Sequence, residues 1–344
     1  MNSTFLRDLR WAFAQFNRQE SHRTSRQARF LLRSLLTARA SQAWFALLRE
    51  FGLPRWTPTP SEWLQQPHRP FFDHRLGVTE VARLLLHDLR VTMDLFGPQR
   101  LAELVQGTQW ELARVQGRSS AWRIGLRKEM RFSKEGTLSL CLLREDGAVL
   151  KRLVFCFAPH EGAGHHLRIG CVQSIAEDTL ESLRTATKDL HGIQPRLLLV
   201  QALRVLATHL GCQGLQAISV DHHVYRAARY RSRDKALPGY DDLWLLAGGT
   251  RRADGNYDLP LATTRKALED VASNKRAEYR RRHELTDTMV ALQGVSAAVA
   301  QHDRAGAAPG HDHAPAAAAR TDGAAVGPGR ALPSPIPLPP RVSG

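Results

Sequence analysis

The side chains best suited to chemistry gather in one stretch, TATKDLHGIQPRLLLVQALRVLA, Thr185 to Ala207. A polar, basic segment breaks at Gly192, and Pro195 then opens an apolar run. Proline suits a first helical position, because its missing N–H would be unpaired there anyway. The free N–H groups and the dipole at such a start favour an anion. Lys188, His191 and Arg196 are the candidate anion-binding residues beside it, and Gln173 of the preceding strand is the fourth. The competing reading is a core helix in which Arg196 pairs with one of the protein's own carboxylates. The residues leave both open.

Other chemistries have weaker support. His160, His165 and His166 share one turn with Glu161, and Asp221, His222 and His223 follow the run LQAISV. Imidazoles and carboxylates together suit a transition metal. Neither group has the HExxH spacing that puts two ligands on one helix face, so exposed loop histidines and no metal are the expectation. No GxSxG elbow is present, no base pairs by spacing with Ser174, and Cys171 reads as core. No GxxxxGK[ST] or GxGxxG loop is present either. No catalytic residue is assigned. For nucleic acid, the basic segment NKRAEYRRRHELTDTM is the best phosphate contact, with a solvated helix face as its plain alternative.

These residues need elements to hold them. Residues 1 to about 115 read as an Arg-rich helical region: Phe5, Leu9, Ala12, Phe13 and Phe16 recur at helix spacing. Such a basic amphipathic helix either packs on the fold or lies on an anionic membrane. FGLPRWTPTPSEWL reads as a Pro-broken linker, with Ser61 as a cap for the next segment. LGVTEVARLLLHDLRVTMDLFG reads as a further helix, capped by Thr79 and stopped at Gly97-Pro98. From about 120 the period becomes two. Strands follow through Trp122–Leu126, TLSLCLL, LVFCFA and HHLRIGCVQS, with Asp146-Gly147 as a type I′ hairpin turn. Helices follow at Glu177–Leu190 and Pro195–Leu210, then the strand LQAISV, a second Asp-Gly turn at Asp254-Gly255, and a last helix from Leu261 to about Leu292. After about 296 the composition collapses to Ala, Gly, Pro and His, too poor in apolar surface to order itself.

Composition bounds the partners. The net charge is +15 and the isoelectric point about 10.5, which points to an anionic membrane surface, lipid or nucleic acid. Only seven of the 48 basic residues are Lys, so an Arg-heavy, GC-rich coding bias explains part of that charge. Four scattered cysteines with no CxxC pair, and an N-terminus with charges where a signal would be apolar, fit a cytoplasmic chain, peripheral at the inner membrane.

QQPHRPFF, RIGCVQS, ATKDLHGIQPR, YDDLWLLAGGT, NYDLP and NKRAEYRRRHEL, in this order, resemble the VirK/YbjX family of bacterial proteins over roughly 25 to 295. Two departures are Ser174, where a glycine is expected, and LWLL, where the stretch is expected to be more acidic. The resemblance implies an accessory factor linked to virulence, envelope stress and antimicrobial-peptide resistance, with some tie to the DNA-damage response. It brings no catalytic residues.

The expected class is α+β. A helical region over 1–115 precedes a mixed, mainly antiparallel sheet with packed helices over 116–295, and a disordered tail spans 296–344. The meander–helix–strand order is similar to that of GNAT-type acyltransferases, so an enzyme using acyl-CoA is the runner-up to a cofactor-free anion-binding factor. An additional helix before Pro195 departs from that order, and fold likeness does not by itself give function.

Overall fold

Alternating apolar residues from Trp110 onward build one continuous sheet. In the computed structural model, residues 3–15, 23–52, 55–57, 59–129, 131–174, 180–230, 239–262 and 265–290 are described. The strands are β1 (Trp110–Gln116), β2 (Ala121–Lys128), β3 (Leu138–Leu143), β4 (Val149–Pro159), β5 (His165–Ser174), β6 (Leu215–Ala217), β7 (Thr250–Arg251) and β8 (Tyr257–Leu259). They form an eight-stranded sheet in the order β1-β2-β3-β4-β5-β6-β8-β7. β5 and β6 pair in parallel, and the other neighbours are antiparallel. A parallel pair needs a long crossover. It is supplied by α6 (Leu180–Asp189) and α7 (Pro195–His209).

Helices cover both faces of the sheet. α1 (Ser3–Ala14), α2 (Arg23–Leu36), α3 (Ala38–Glu50), α4 (Pro60–Leu64) and α5 (Val78–Val105) precede it, and α8 (Tyr240–Leu246) and α9 (Arg276–Val290) come late. β4 shows why its run LVFCFA is apolar throughout. Phe155 and Phe157 enter the core that also holds Leu203, Leu206 and Leu285, while Cys156 and Ala158 enter the core of Phe45, Leu85 and Leu101. A strand buried on both faces has no polar side to show. At the bulge between Val154 and Phe155 the ladder shifts, and Asp88 of α5 accepts the Phe157 N–H at 2.8 Å. A buried backbone donor without such a partner would cost about 1–3 kcal/mol.

The architecture agrees with the expected α+β class, and several details differ. β1 lies in the region read as helical. WELARVQ is an edge strand with an irregular burial pattern, so its period of two is blurred. α5 does break at Gly97, whose φ of 74° is non-helical, but Pro98 then starts a second helical stretch to Val105. Gly77 occupies the cap position and its N–H donates to the Glu80 carboxylate, so Thr79 lies inside the helix. Ser61 is likewise internal, because Thr59 precedes Pro60 at the start of α4.

The Asp-Gly turns are not type I′. In both, only the glycine has positive φ (89° at Gly147, 86° at Gly255). Gly147 N donates to Arg144 O and Arg144 N to Ala148 O, and Gly255 and Arg252 repeat the pattern. These are type I turns closed by a left-handed glycine, the three-residue hairpin loop. The last helix begins at Arg276, since 265–272 is irregular and Ser273–Lys275 is a 3-10 turn. The tail expected after 296 lies outside the described residues.

Candidate functional site

The α6–α7 turn is tied down from three sides. Asp189 accepts hydrogen bonds from Ser119 N (2.7 Å), Ser119 Oγ (2.7 Å) and Trp122 Nε1 (2.6 Å). Burial works against its charge, but the indole and serine donors outweigh it and hold the carboxyl below its ordinary range. His191 and Gly192 both have positive φ (54° and 82°). Arg282 of α9 donates to His191 O at 2.6 Å and to Glu278, and a Cβ at 192 would overlap its guanidinium. Glycine suits the positive φ there, and a Cβ would push the Arg282 guanidinium and the Glu278 carboxylate aside.

The four candidate residues do not share one environment. Arg196 donates to its neighbour Gln194 at 2.8 Å, Lys188 is exposed at the end of α6, and the His191 ring is buried. Gln173 lies on β5 and donates to Tyr240 Oη at 2.8 Å. Among the described residues no hydrogen bond or ion pair links Gln173 to the other three.

A groove of about 500 Å³ runs along α7 and faces α9. Its apolar wall includes Leu197, Val205 and Leu261, and Arg204, Lys266 and Arg282 bring charge. None of the described lining residues is a carboxylate. Amphipathic, cationic space of this kind suits an anion with an apolar body.

Beyond Ile169, β5 continues without a strand partner on the β6 side. The gap is filled from α8: Tyr240 sits against Gln173, and Trp244 donates to Ile218 O at 2.8 Å. Burial, then Cys171 and Glu135, push the Tyr240 phenol well up. His223 lies nearby, its ring 5.6 Å from that of Tyr240, and its Nε2 approaches Glu135 at 3.0 Å. This corrects the reading of exposed histidine loops in part, since His160 is exposed and His165 and His222 are half-buried. His223 is fully buried and His166 nearly so. Spacing along the chain gave no sign of the Glu135 contact. Among the described residues no three metal-ligating side chains come together.

α2 presents the opposite character. Leu32, Leu35 and Leu36 are 59%, 44% and 76% exposed on one face. Arginines crowd the same helix: burial, then Arg229 and Arg29, pull the Arg33 guanidinium below its ordinary value. Arg69 is lowered by burial and, although Glu62 opposes this, by Arg229 and Arg26 as well. Like charges gathered from three parts of the chain are held beside exposed apolar surface.

The family-like stretches sort into two places. Phe72 N donates to Lys134 O, Asp73 bridges His223, Asp241 accepts Val220 N and Asn256 accepts Ser219 N. RIGCVQS joins through Ile218 N, which donates to Ile169 O, and Asp73 directly follows QQPHRPFF, so these two stretches, YDDLWLL and NYDLP meet around Ile218–His223. ATKDLHGIQPR and NKRAEYRRRHEL meet at the α6–α7 turn through the Arg282–His191 contact. A family model described as a protein of unknown function, DUF535, matches residues 19–293. The chain belongs to the DUF535 family. Among similar proteins, the uncharacterized protein YbjX of Escherichia coli K12 is 28% identical over 277 residues, covering 78% of this chain and 82% of that one. An uncharacterized protein of Haemophilus influenzae is 28% identical over 220 residues, 64% of this chain and 72% of its own. The VirK/YbjX resemblance therefore holds. No solved structure matches the chain. No helix among the described residues is long and apolar enough to cross a membrane.

Proposed function

We propose that this chain is an accessory factor of the bacterial envelope that seats reversibly on an anionic membrane surface through α2. The observation that carries this is the set of exposed leucines, Leu32, Leu35 and Leu36, beside the arginine cluster of Arg29, Arg33 and Arg229. A fully buried leucine contributes about 1.5–3 kcal/mol, and each basic residue near an anionic leaflet about 1 kcal/mol. Together these suffice for peripheral binding and fall far short of a membrane span. The full chain should float with phosphatidylglycerol-containing vesicles at moderate salt, much less with neutral ones, and progressively less as salt rises. Leu32→Glu combined with Leu36→Glu should abolish flotation without unfolding the chain. Absence of flotation by the unaltered chain would sink this reading.

A second reading, an acyltransferase using acyl-CoA, draws on two observations. One is the crossover helices joining the parallel pair β5–β6. The other is the cationic, apolar groove beside α7. Against an open thioester site stand Tyr240 and Trp244, which fill the gap beyond Ile169. Calorimetry with acetyl-CoA and longer acyl-CoAs discriminates, since heat from neither removes it. Nucleic-acid binding would instead show as DNA affinity falling steeply with salt.

A further inference from the structure

A second cleft, of about 490 Å³, lies between the β1–β2 turn and α9, beside the α6–α7 turn. Arg118 enters it from the β1–β2 turn and Arg281 from α9, with the His191 ring in its wall. Gln116, Glu284 and Thr288 are its other polar side chains. Both arginines are exposed, and neither guanidinium has an ion pair or hydrogen bond among the described residues. His191 is only 8% exposed, and its Nδ1 is buried with no hydrogen-bond partner. A buried imidazole atom left without a partner is uncommon and costly. The turn that places the ring is itself fixed, by Asp189 on Ser119 and Trp122 and by Arg282 on the His191 carbonyl.

Of the polar groups in TATKDLHGIQPR, most are satisfied internally. Arg196 has Gln194, Asp189 has Ser119 and Trp122, and Thr187 Oγ1 donates to Leu183 O. Lys188 and Thr185 are exposed to solvent, so the His191 ring is the buried exception, and two arginines from distant segments converge on it. We infer that Arg118, His191 and Arg281 form a binding site for a phosphate-class oxyanion, either free phosphate or a phosphomonoester. Guanidinium groups match the tetrahedral oxyanion as paired donors, and the imidazole adds a third donor from a rigid turn. Glu284 at the rim limits the charge such a site accumulates when empty. The site is separate from α2 and does not depend on the membrane reading.

Burial and then the charges of Arg118 and Arg281 lower the His191 pKa, against Asp189 and Glu278, which raise it. An anion that neutralises the arginines should therefore raise that pKa, and by reciprocity protonation of His191 should strengthen binding.

The test follows the His191 imidazole resonance of the full chain by NMR while inorganic phosphate is added at constant ionic strength, with chloride as the control ion. Glycerol 3-phosphate forms a second arm and separates a phosphomonoester from free phosphate. The expected result is a saturable shift with phosphate, a titration midpoint moved to higher pH, and no such change with chloride. Arg118→Gln with Arg281→Gln, both on exposed side chains, should weaken binding roughly tenfold or more while leaving the thermal midpoint in place. If the His191 resonance does not respond to either phosphate, or the double variant responds as the unaltered chain does, the site does not exist.

Discussion

His223 Nε2 lies 3.0 Å from Glu135 Oε1, and neither side chain touches solvent. His223 Nδ1 accepts from Tyr225 N at 3.3 Å, which assigns the ring proton to Nε2, on the carboxylate side. The approach is close but not well aligned, since neither atom completes a good hydrogen bond. The pair is held by its surroundings. Gly170 of β5 passes so near that a Cβ there would overlap the Glu135 carbonyl. Removing one partner of a buried polar pair strands the other, at about 3–5 kcal/mol. Glu135→Ala and His223→Ala should each lower stability by that order in urea denaturation, and the double variant should lose much less than their sum. Gly170→Ala should be comparably damaging. Single changes costing under about 1 kcal/mol would show the pair to be incidental.

Acid should destabilise the fold earlier than its carboxylates alone would. Burial, reinforced by Arg33, holds His68 down at about 4, and burial with Arg168 does the same for His166. Both are neutral in the folded chain, whereas the unfolded chain binds their protons near pH 6.5. Stability from this source is complete above about pH 6.5 and is lost as pH falls toward 4, on the order of 3 kcal/mol for each ring. Denaturant midpoints measured from pH 7 to pH 4 should fall accordingly. His68→Gln should flatten part of that slope, and an unchanged slope would refute the assignment.

The thiols should be silent. Cys141, Cys156, Cys171 and Cys212 are all free and buried. Burial pushes Cys212 up to about 12, and burial with Glu135 takes Cys171 well above the ordinary range. Only a thiolate reacts readily. Ellman's reagent should label the native chain very slowly and release four equivalents once it is unfolded. Rapid labelling of any one thiol under native conditions would contradict this.

The two Asp-Gly hairpins offer a matched comparison. Gly147 faces open space apart from Arg123 Nη2 at 3.4 Å, whereas a Cβ at Gly255 would meet His222 Cε1 at 2.5 Å. Gly147→Ala carries only the strain of positive φ, about 1 kcal/mol. Gly255→Ala adds a contact that the His222–Asn256 hydrogen bond resists relieving. Thermal midpoints should fall more for Gly255→Ala, and equal losses would show that His222 yields freely.

What pattern alone revealed was local. The meander from Trp122, the buried run of α7 and the Asp-Gly hairpins each carry their signal within a dozen residues, and all are present. β1 escaped notice because an edge strand with Glu111, Arg114 and Gln116 exposed has little apolar alternation to read. The stretch 265–272 read as helix because it is rich in Ala, Leu and charge, but its exposed face has nothing to pack on. Glu135 and His223 stand far apart in the chain, so only the sheet that brings 134–135 beside 222–223 could join them. His191 was visible as a polar residue too many for a helix start. Arg118 and Arg281, which face it, come from the β1–β2 turn and α9, and nothing in spacing pairs those segments.

α9 packs on β1 and α7, and its Arg282 fastens the His191 carbonyl. During synthesis, β1 and the α6–α7 turn therefore emerge long before the element that covers them. Until residue 285 clears the ribosome, Leu285 is missing from the core and the turn at Gly192 has no lid. The nascent chain thus completes this part of its core late. A chain stopped before Arg276 should be a chaperone client rather than a smaller version of the same protein.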